Sequence, residues 1–382
     1  MGPLKGLKVI EIASLAPGPF CAMMLSDMGA EVIRIDRTDD SSDQYPISWD
    51  KNLLNRGRKS IALDLKDPKA VAVVLELCKN ADAIIEGFRP GVMERLGLGP
   101  DVCFAANEAL VYGRVTGWGQ DGHLAHTAGH DINYISLTGA LHAMGPKSMP
   151  IAPLNMLGDF AGGGMMLAFG LVCAILESKQ SGKGQVVDAA MTDGSALMMT
   201  LIHTMFNEGV WKDERESNLV DGGAPHYRAY KTKDEKFISV GAVEPKFFFT
   251  LVKTLGLDED PLFSSPNRPK NCAAMTEKMA TVFLGKTRDE WEAVFEGKDA
   301  CFTPVKTLGE AASERHNRSR NTFVEVAGVT QPAPAPRFSR TPGEISAPPC
   351  QIGEHTADVL RAWGIAEEEI AGLLAEGSAV QA

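Results

Sequence analysis

LKVIEIASLAPGPFCAMMLSDMGAEVIRIDR, residues 7 to 37, is the stretch whose reading decides the fold. LKVIEIA (7–13) is an apolar run of strand length, APGP (16–19) is a turn, PFCAMMLSDMGA can wind as a helix, and EVIRIDR (31–37) is a second strand. Two strands joined through a helix make a βαβ unit, and such a crossover leaves the strands parallel. The order then recurs. SIALDLK (60–66) is strand-like, DPKAVAVVLELCKNA (67–81) opens on Asp and Pro with helical periodicity behind them, and DAIIEGF (82–88) and LVYGRVTG (110–117) are further strands. QVVDAAM (185–191) adds another. This alternation predicts an α/β domain on a parallel sheet.

The chain has 382 residues, enough for two domains with a sizeable core. A formal charge of -11 speaks against nucleic acid as a partner while leaving room for a local basic pocket. The seven cysteines form no CxxC pair, so neither a disulfide framework nor a zinc knuckle is expected, and a reducing cytoplasm suits them. The opening residues lack the pattern of a secretory signal. The apolar run Phe160 to Leu176 is interrupted by glycines and is expected as a buried helix, without membrane insertion. Beyond SALMMTLIHTMF (195–206), also helical, the texture turns polar and turn-rich over 214–230, and from 228 to 310 short strands such as FISVGAV (237–243) alternate with helices. TQPAPAPRFSRTPGEISAPP (330–349) is proline-rich and expected to run extended over a surface, and the tail supplies two short helices.

Several positions carry chemistry. SLAPGPF is not the glycine fingerprint of a dinucleotide site. Cations gather instead beside strand ends: Arg37, then Arg56, Arg58 and Lys59, then Arg89 and Arg95. In an open parallel sheet the carboxyl ends of the strands border the ligand crevice, and arginine forks suit phosphate. The same residues also read as solvated surface charge. TAGHDINY (127–134) sets His130 and Asp131 at a helix start, with His123 and His126 in the polar loop before it. PLNMLGDFAGGGMM (153–166) sets Asp159 just ahead of a glycine-rich helix, where a carboxylate is either an N-cap or a reactive group beside free N–H donors. GAVEPKFF (241–248) sets Glu244 at a strand end before a proline-started helix. Each of these has an ordinary structural reading when taken alone.

Together they resemble a known superfamily. NRGRKSIALDLK (55–66), GFRPGVMERLGLGP (87–100), AGHDINYISLTGALHAMG (128–145), NMLGDFAGGGMM (155–166), VDGGAPHYRAY (220–230), VGAVEPKFF (240–248) and APRFSRTPG (335–343) follow the N-terminal unit in the order of the family III CoA-transferase superfamily, and specifically of its α-methylacyl-CoA racemase branch. The resemblance implies a large Rossmann-like parallel-sheet domain with an inserted smaller α+β domain. The expected boundaries are a large CoA-binding domain over 1–200, a linker over 201–227, the small domain over 228–320 and a return segment over 321–382. It implies an interlocked homodimer, each active site drawn from the large domain of one subunit and the small domain of the other.

Residue by residue, the resemblance implies that His130 and Asp159 face the α-carbon of a 2-methylacyl-CoA thioester from opposite sides and that Glu244 orients His130. Asp131 and Tyr227 are supporting neighbours, and Arg37, Ala62, Arg89 and Arg95 surround the adenine and phosphates of CoA. Removing an α-proton and returning it on the other face requires a base, an acid and a donor for the enolate oxygen. The Asp159 N–H is the expected donor. No metal or separate cofactor is expected, since coenzyme A is part of the substrate, and the setting is fatty acid metabolism. The rival is a CoA-transferase in which Asp159 attacks the acyl group.

Overall fold

The computed structural model describes residues 2–39, 47–266 and 271–382. They fall into two units. The first gathers Met1–Thr138, Leu154–Met198 and Arg318–Ala382, and the second gathers Gly139–Pro153 and Met199–Asn317.

The first unit opens with β1 (Lys8–Ile12), α1 (Pro17–Asp27) and β2 (Glu31–Asp36), as the sequence pattern predicts. β3 (Lys59–Leu63), α2 (Pro68–Cys78), β4 (Ala83–Glu86), α3 (Val92–Arg95), β5 (Val111–Thr116) and β6 (Val186–Ala190) follow. The Asp67 carboxylate caps α2 by accepting the Lys69 N–H at 2.9 Å, and Pro68 fills the first helical position. β1 to β6 pair in parallel in the order β3-β2-β1-β4-β5-β6. The order turns around at β1 and β4, whose carboxyl ends therefore border a crevice. Alternate strand residues serve two cores. Ile10, Ile33, Ile61 and Ile84 meet Val73, Val74 and Leu77 of α2, while Val9, Val32 and Ile85 meet Cys21, Ala22 and Leu25 of α1. Burial on both faces explains why β1 to β5 are mostly apolar despite a few charges.

The helix predicted over the apolar run is longer than expected, Met156–Ser181, and apolar enough to cross a membrane by length and composition. Its first ten residues, Met156–Met165, form a π-helix, wider than an α-helix because its hydrogen bonds reach five residues along the chain. Leu167, Leu171 and Ala174 pack on the sheet, but Met165, Phe169, Val172 and Leu176 are exposed, Phe169 at 68%. The expectation of a buried helix holds for one face only.

In the second unit, β7 (Tyr227–Lys231), β8 (Phe237–Gly241) and β9 (Phe302–Pro304) form an antiparallel sheet. Ile238 and Val240 face a core with Phe248, Leu251, Met275, Phe283 and Trp291. The unit begins earlier than the sequence predicts. Residues 201–227 are no linker: they carry the helix Thr200–Asn207 and a folded loop. In that loop the Asp221 carboxylate accepts the N–H groups of Ser217, Asn218 and Gly223. Gly139–Pro153 also joins this unit, because the Arg215 guanidinium donates to the carbonyls of His142 (3.0 Å), Pro146 (3.1 Å) and Lys147 (3.3 Å).

The return segment starts with a hairpin, β10 (Phe323–Val326) and β11 (Val329–Pro332), so the proline-rich stretch begins as a strand. Helices Thr356–Ala362 and Glu367–Glu376 place Val359, Leu360 and Leu373 in the first unit's core. β12 (Ala379–Val380), absent from the sequence reading, pairs antiparallel with β3 and covers that sheet edge.

Candidate active site

Two chain segments of the first unit, 129–134 and 155–159, meet through one carboxylate. His130 precedes the short helix Asp131–Ser136 and is exposed. Its N–H donates to Asn133 Oδ1 at 3.0 Å, and its carbonyl accepts the N–H of Asn133 at 2.7 Å, which holds the backbone of the turn. The next residue, Asp131, is buried, and its Oδ2 accepts the N–H groups of Gly158 (2.6 Å) and Asp159 (2.8 Å). Gly158 allows this approach, since a Cβ there would stand 2.5 Å from Asp131 Oδ2. The other oxygen, Oδ1, is buried without a hydrogen-bond partner among the described residues.

Asp159 therefore departs from its expected setting in two ways. The N-cap of its helix is Asn155, with Asp159 in the first turn. Its N–H, expected to await an enolate oxygen, is already given to Asp131. The Asp159 carboxylate is half-buried and accepts the Asn155 side-chain amide at 3.0 Å. Burial raises its pKa above the ordinary 3.8, and the Asp131 charge adds to the rise, while the Asn155 hydrogen bond and His130 act in the opposite sense. His130 and Asp159 thus belong to one electrostatic neighbourhood.

Tyr134 completes that neighbourhood, and sequence reasoning missed it. Its ring lies edge-on to Trp118 at 4.8 Å, its hydroxyl donates to the Gly129 carbonyl, and Trp118 Nε1 donates to Thr127 at 3.1 Å. The aromatic pair braces the turn that carries His130. Burial, with the Asp159 charge behind it, pushes the Tyr134 hydroxyl up to about 12, and Arg89 pulls the other way. Asn155 was missed as well, although its place four residues before Asp159 on a helix was a usable signal.

The cations separate into two kinds. Arg56 and Arg58 are buried: Arg56 pairs with Asp27 at 2.6 Å and also donates to Gln331 and Pro332, and Arg58 pairs with Glu11 at 2.6 Å. They tie the chain together, so they are neither available to a phosphate nor solvated surface charge. Arg89 and Arg95 lie exposed on the segment after β4. Arg37 is exposed with its guanidinium forked onto Asp39 at 2.7 and 2.9 Å. Ala62 is fully buried in β3, and its N–H goes to Thr356 Oγ1 at 3.1 Å, which leaves a ligand no side-chain surface there. His123 and His126 are exposed.

Glu244 and Tyr227 lie in the second unit. Glu244 is exposed and caps the helix Pro245–Thr254, its carbonyl accepting the N–H groups of Phe247 and Phe248 at 3.0 Å. Tyr227 borders a cavity of about 790 Å³ on the outer face of β7–β9, with Ser239, Gly241, Cys301 and Thr303.

Comparison with known proteins assigns the lineage. The model of CoA-transferase family III matches residues 4–356. The chain belongs to CoA-transferase family III. This family III chain is 45% identical over 373 residues to a mouse protein named alpha-methylacyl-CoA racemase, covering 96% of the chain and 95% of that protein. It is 44% identical over 374 residues to the human protein of the same name, with 96% and 95% coverage. The crystal structure of a CAIB/BAIF family protein from Brucella suis superposes with a TM-score of 0.82 at 24% identity, covering 95% of this chain and 99% of that one, and agrees with the fold.

Proposed function

We propose that this family III chain is an α-methylacyl-CoA racemase, interconverting the (R) and (S) forms of 2-methylacyl-CoA thioesters. The observation that carries the reading is the single neighbourhood formed by His130 and the half-buried Asp159, together with the racemase name borne by relatives 44 and 45% identical. In one direction neutral His130 takes the α-proton, the electron pair moves into the thioester as an enolate, and protonated Asp159 returns a proton on the opposite face. The other enantiomer uses the reverse assignment. Burial of Asp159 suits both tasks, because a carboxyl with a raised pKa is a better base when ionised and is more readily protonated.

Glu244 orients His130 in this reading, and Tyr227 and Asp131 support the site. Arg37, Arg89 and Arg95 hold CoA phosphates, while Ala62, with no surface open to a ligand, stays outside the site. The working form is a homodimer, which gives the exposed stripe Met165, Phe169, Val172 and Leu176 a partner surface. The substrate brings the only CoA the reaction needs, and no metal or redox cofactor takes part. A cytoplasmic setting in fatty acid metabolism agrees with seven free cysteines.

The test is incubation with one enantiomer of a 2-methylacyl-CoA in deuterated water. Racemisation with α-deuterium uptake is expected, without an acceptor acid. Acyl transfer to a free carboxylic acid with no α-deuterium would instead make Asp159 the acyl-accepting nucleophile of a transferase.

A further inference from the structure

Arg114 of β5 is buried beneath the segment that carries Arg89 and Arg95, and no step of the proposed chemistry uses it. Its Nε donates to Glu86 Oε1 at 2.8 Å, and its two terminal nitrogens fork onto Glu94 at 2.9 and 3.3 Å. Glu86 is fully buried on the neighbouring strand, and its second oxygen accepts the Phe88 N–H at 2.7 Å, the residue before Arg89. Two places along, on the same face of β5, the Tyr112 hydroxyl donates to the Leu98 carbonyl at 2.8 Å. The stretch from Phe88 to Leu98 is thus fastened at three points to β4 and β5. Gly91, at φ +81, turns the chain between the two exposed arginines, and Arg95 folds back over it, its Nη1 3.3 Å from where a Cβ would stand.

Glu94 is the one carboxylate on this stretch. Its side chain is 44% exposed, so without Arg114 it would be free to turn toward Arg95 and Arg89 and compensate their charge. The hydrogen bonds from Arg114 hold the Glu94 carboxyl below its ordinary value, as expected for a carboxylate committed to a partner. A forked guanidinium can serve Glu86 and Glu94 together, which a lysine ammonium cannot.

We propose that Arg114 is a positioning residue for the anionic part of the substrate: it draws Glu94 inward and fixes the 88–98 segment, so that Arg89 and Arg95 present uncompensated positive charge to the phosphates. This rests on the reading that Arg89 and Arg95 bind CoA. Arg114→Ala would strand the buried Glu86 charge and endanger the fold, so Arg114→Lys, which can still pair with Glu86, is the variant of choice.

The experiment measures the Kd of free CoA by calorimetry and the kcat and KM of racemisation for the whole enzyme, its Arg114→Lys variant, the double variant Arg114→Lys with Glu94→Gln, and Arg95→Ala. Arg114→Lys should weaken CoA binding and raise KM about fivefold, a modest change in binding free energy, with kcat nearly intact. The double variant should recover most of the affinity, because the freed side chain no longer carries a charge. An unchanged Kd in Arg114→Lys would overturn the inference. So would a double variant as weak as the single one, the result expected if the bridge only holds the helix. An unchanged Kd in Arg95→Ala would sink the assignment of CoA to this segment and the inference with it.

Discussion

The carboxylate of Asp131 holds the backbone N–H of Asp159 at 2.8 Å, and Asp131 is the residue directly after His130. The positions of the two proposed bases are therefore linked through one side chain and one peptide unit. In the geometry observed, that N–H is committed to Asp131, so an enolate oxygen needs another donor or must displace the carboxylate.

Removing this clamp should cost both stability and turnover. Asp131→Asn loses charge-assisted acceptance of two N–H groups, each worth about 1.5–3 kcal/mol in typical proteins. Gly158→Ala should act in the same sense without changing any charge, because its Cβ would fall 2.5 Å from Asp131 Oδ2. Thermal unfolding and kcat of both variants check this. Wild-type values in Gly158→Ala would show that the contact is dispensable.

Asp159 should make activity and stability depend on pH in opposite ways. Its pKa is raised above 3.8, so between that value and the folded one the folded chain keeps a proton that the unfolded chain has released. Its contribution to stability therefore falls as pH rises through that window, and the charged form is a cost above it. Asp159→Asn should raise the melting midpoint at neutral pH while abolishing proton abstraction from its side. In the wild type, kcat/KM for the enantiomer deprotonated by Asp159 should fall on the acid side at a pH above the ordinary carboxylate value. Asn155→Ala removes a hydrogen bond that favours the charged form and should move this limb to higher pH. A limb that stays in place would remove Asn155 from the site.

His226 predicts a separate pH effect in the second unit. It is buried at 2% exposure, neither ring nitrogen has a hydrogen-bond partner among the described residues, and its ring meets Phe248 edge-on at 5.4 Å. Burial lowers its pKa below 6.5, so the unfolded chain takes up a proton first as pH falls. Stability is complete above 6.5 and is lost progressively down to the folded value. His226→Phe should flatten the dependence of unfolding temperature on pH in this range, and an unchanged slope would place the acid sensitivity elsewhere.

Much of the fold was legible because the β1–β5 strands are buried on both faces and so are mostly apolar, the charges within them, such as Glu11 and Arg114, being buried and paired. The domain boundary was not. Gly139–Pro153 and the loop around Arg215 are joined by hydrogen bonds between residues about seventy positions apart, which no local periodicity records. The cations failed for the same reason. Arg56 and Arg89 look alike in sequence, and only the distant partners Asp27 and Gln331 mark Arg56 as structural. The pattern brought out His130, Asp131 and Asp159, but the Asp131 contact that ties up the Asp159 N–H spans 28 positions and could not be read from either motif. Tyr134 went unmarked because its relation to Asp159 exists only in the folded chain.

The central claim is that two distinct groups serve opposite faces of one carbon, and deuterium exchange from each single enantiomer tests it most directly. His130→Ala should lower racemisation by about two to four orders of magnitude, the usual scale for an acid-base residue, while exchange persists better on the enantiomer facing Asp159. Asp159→Asn should show the opposite bias. Racemisation at the wild-type rate in His130→Ala, or the same enantiomer preference in both variants, would contradict the two-base account.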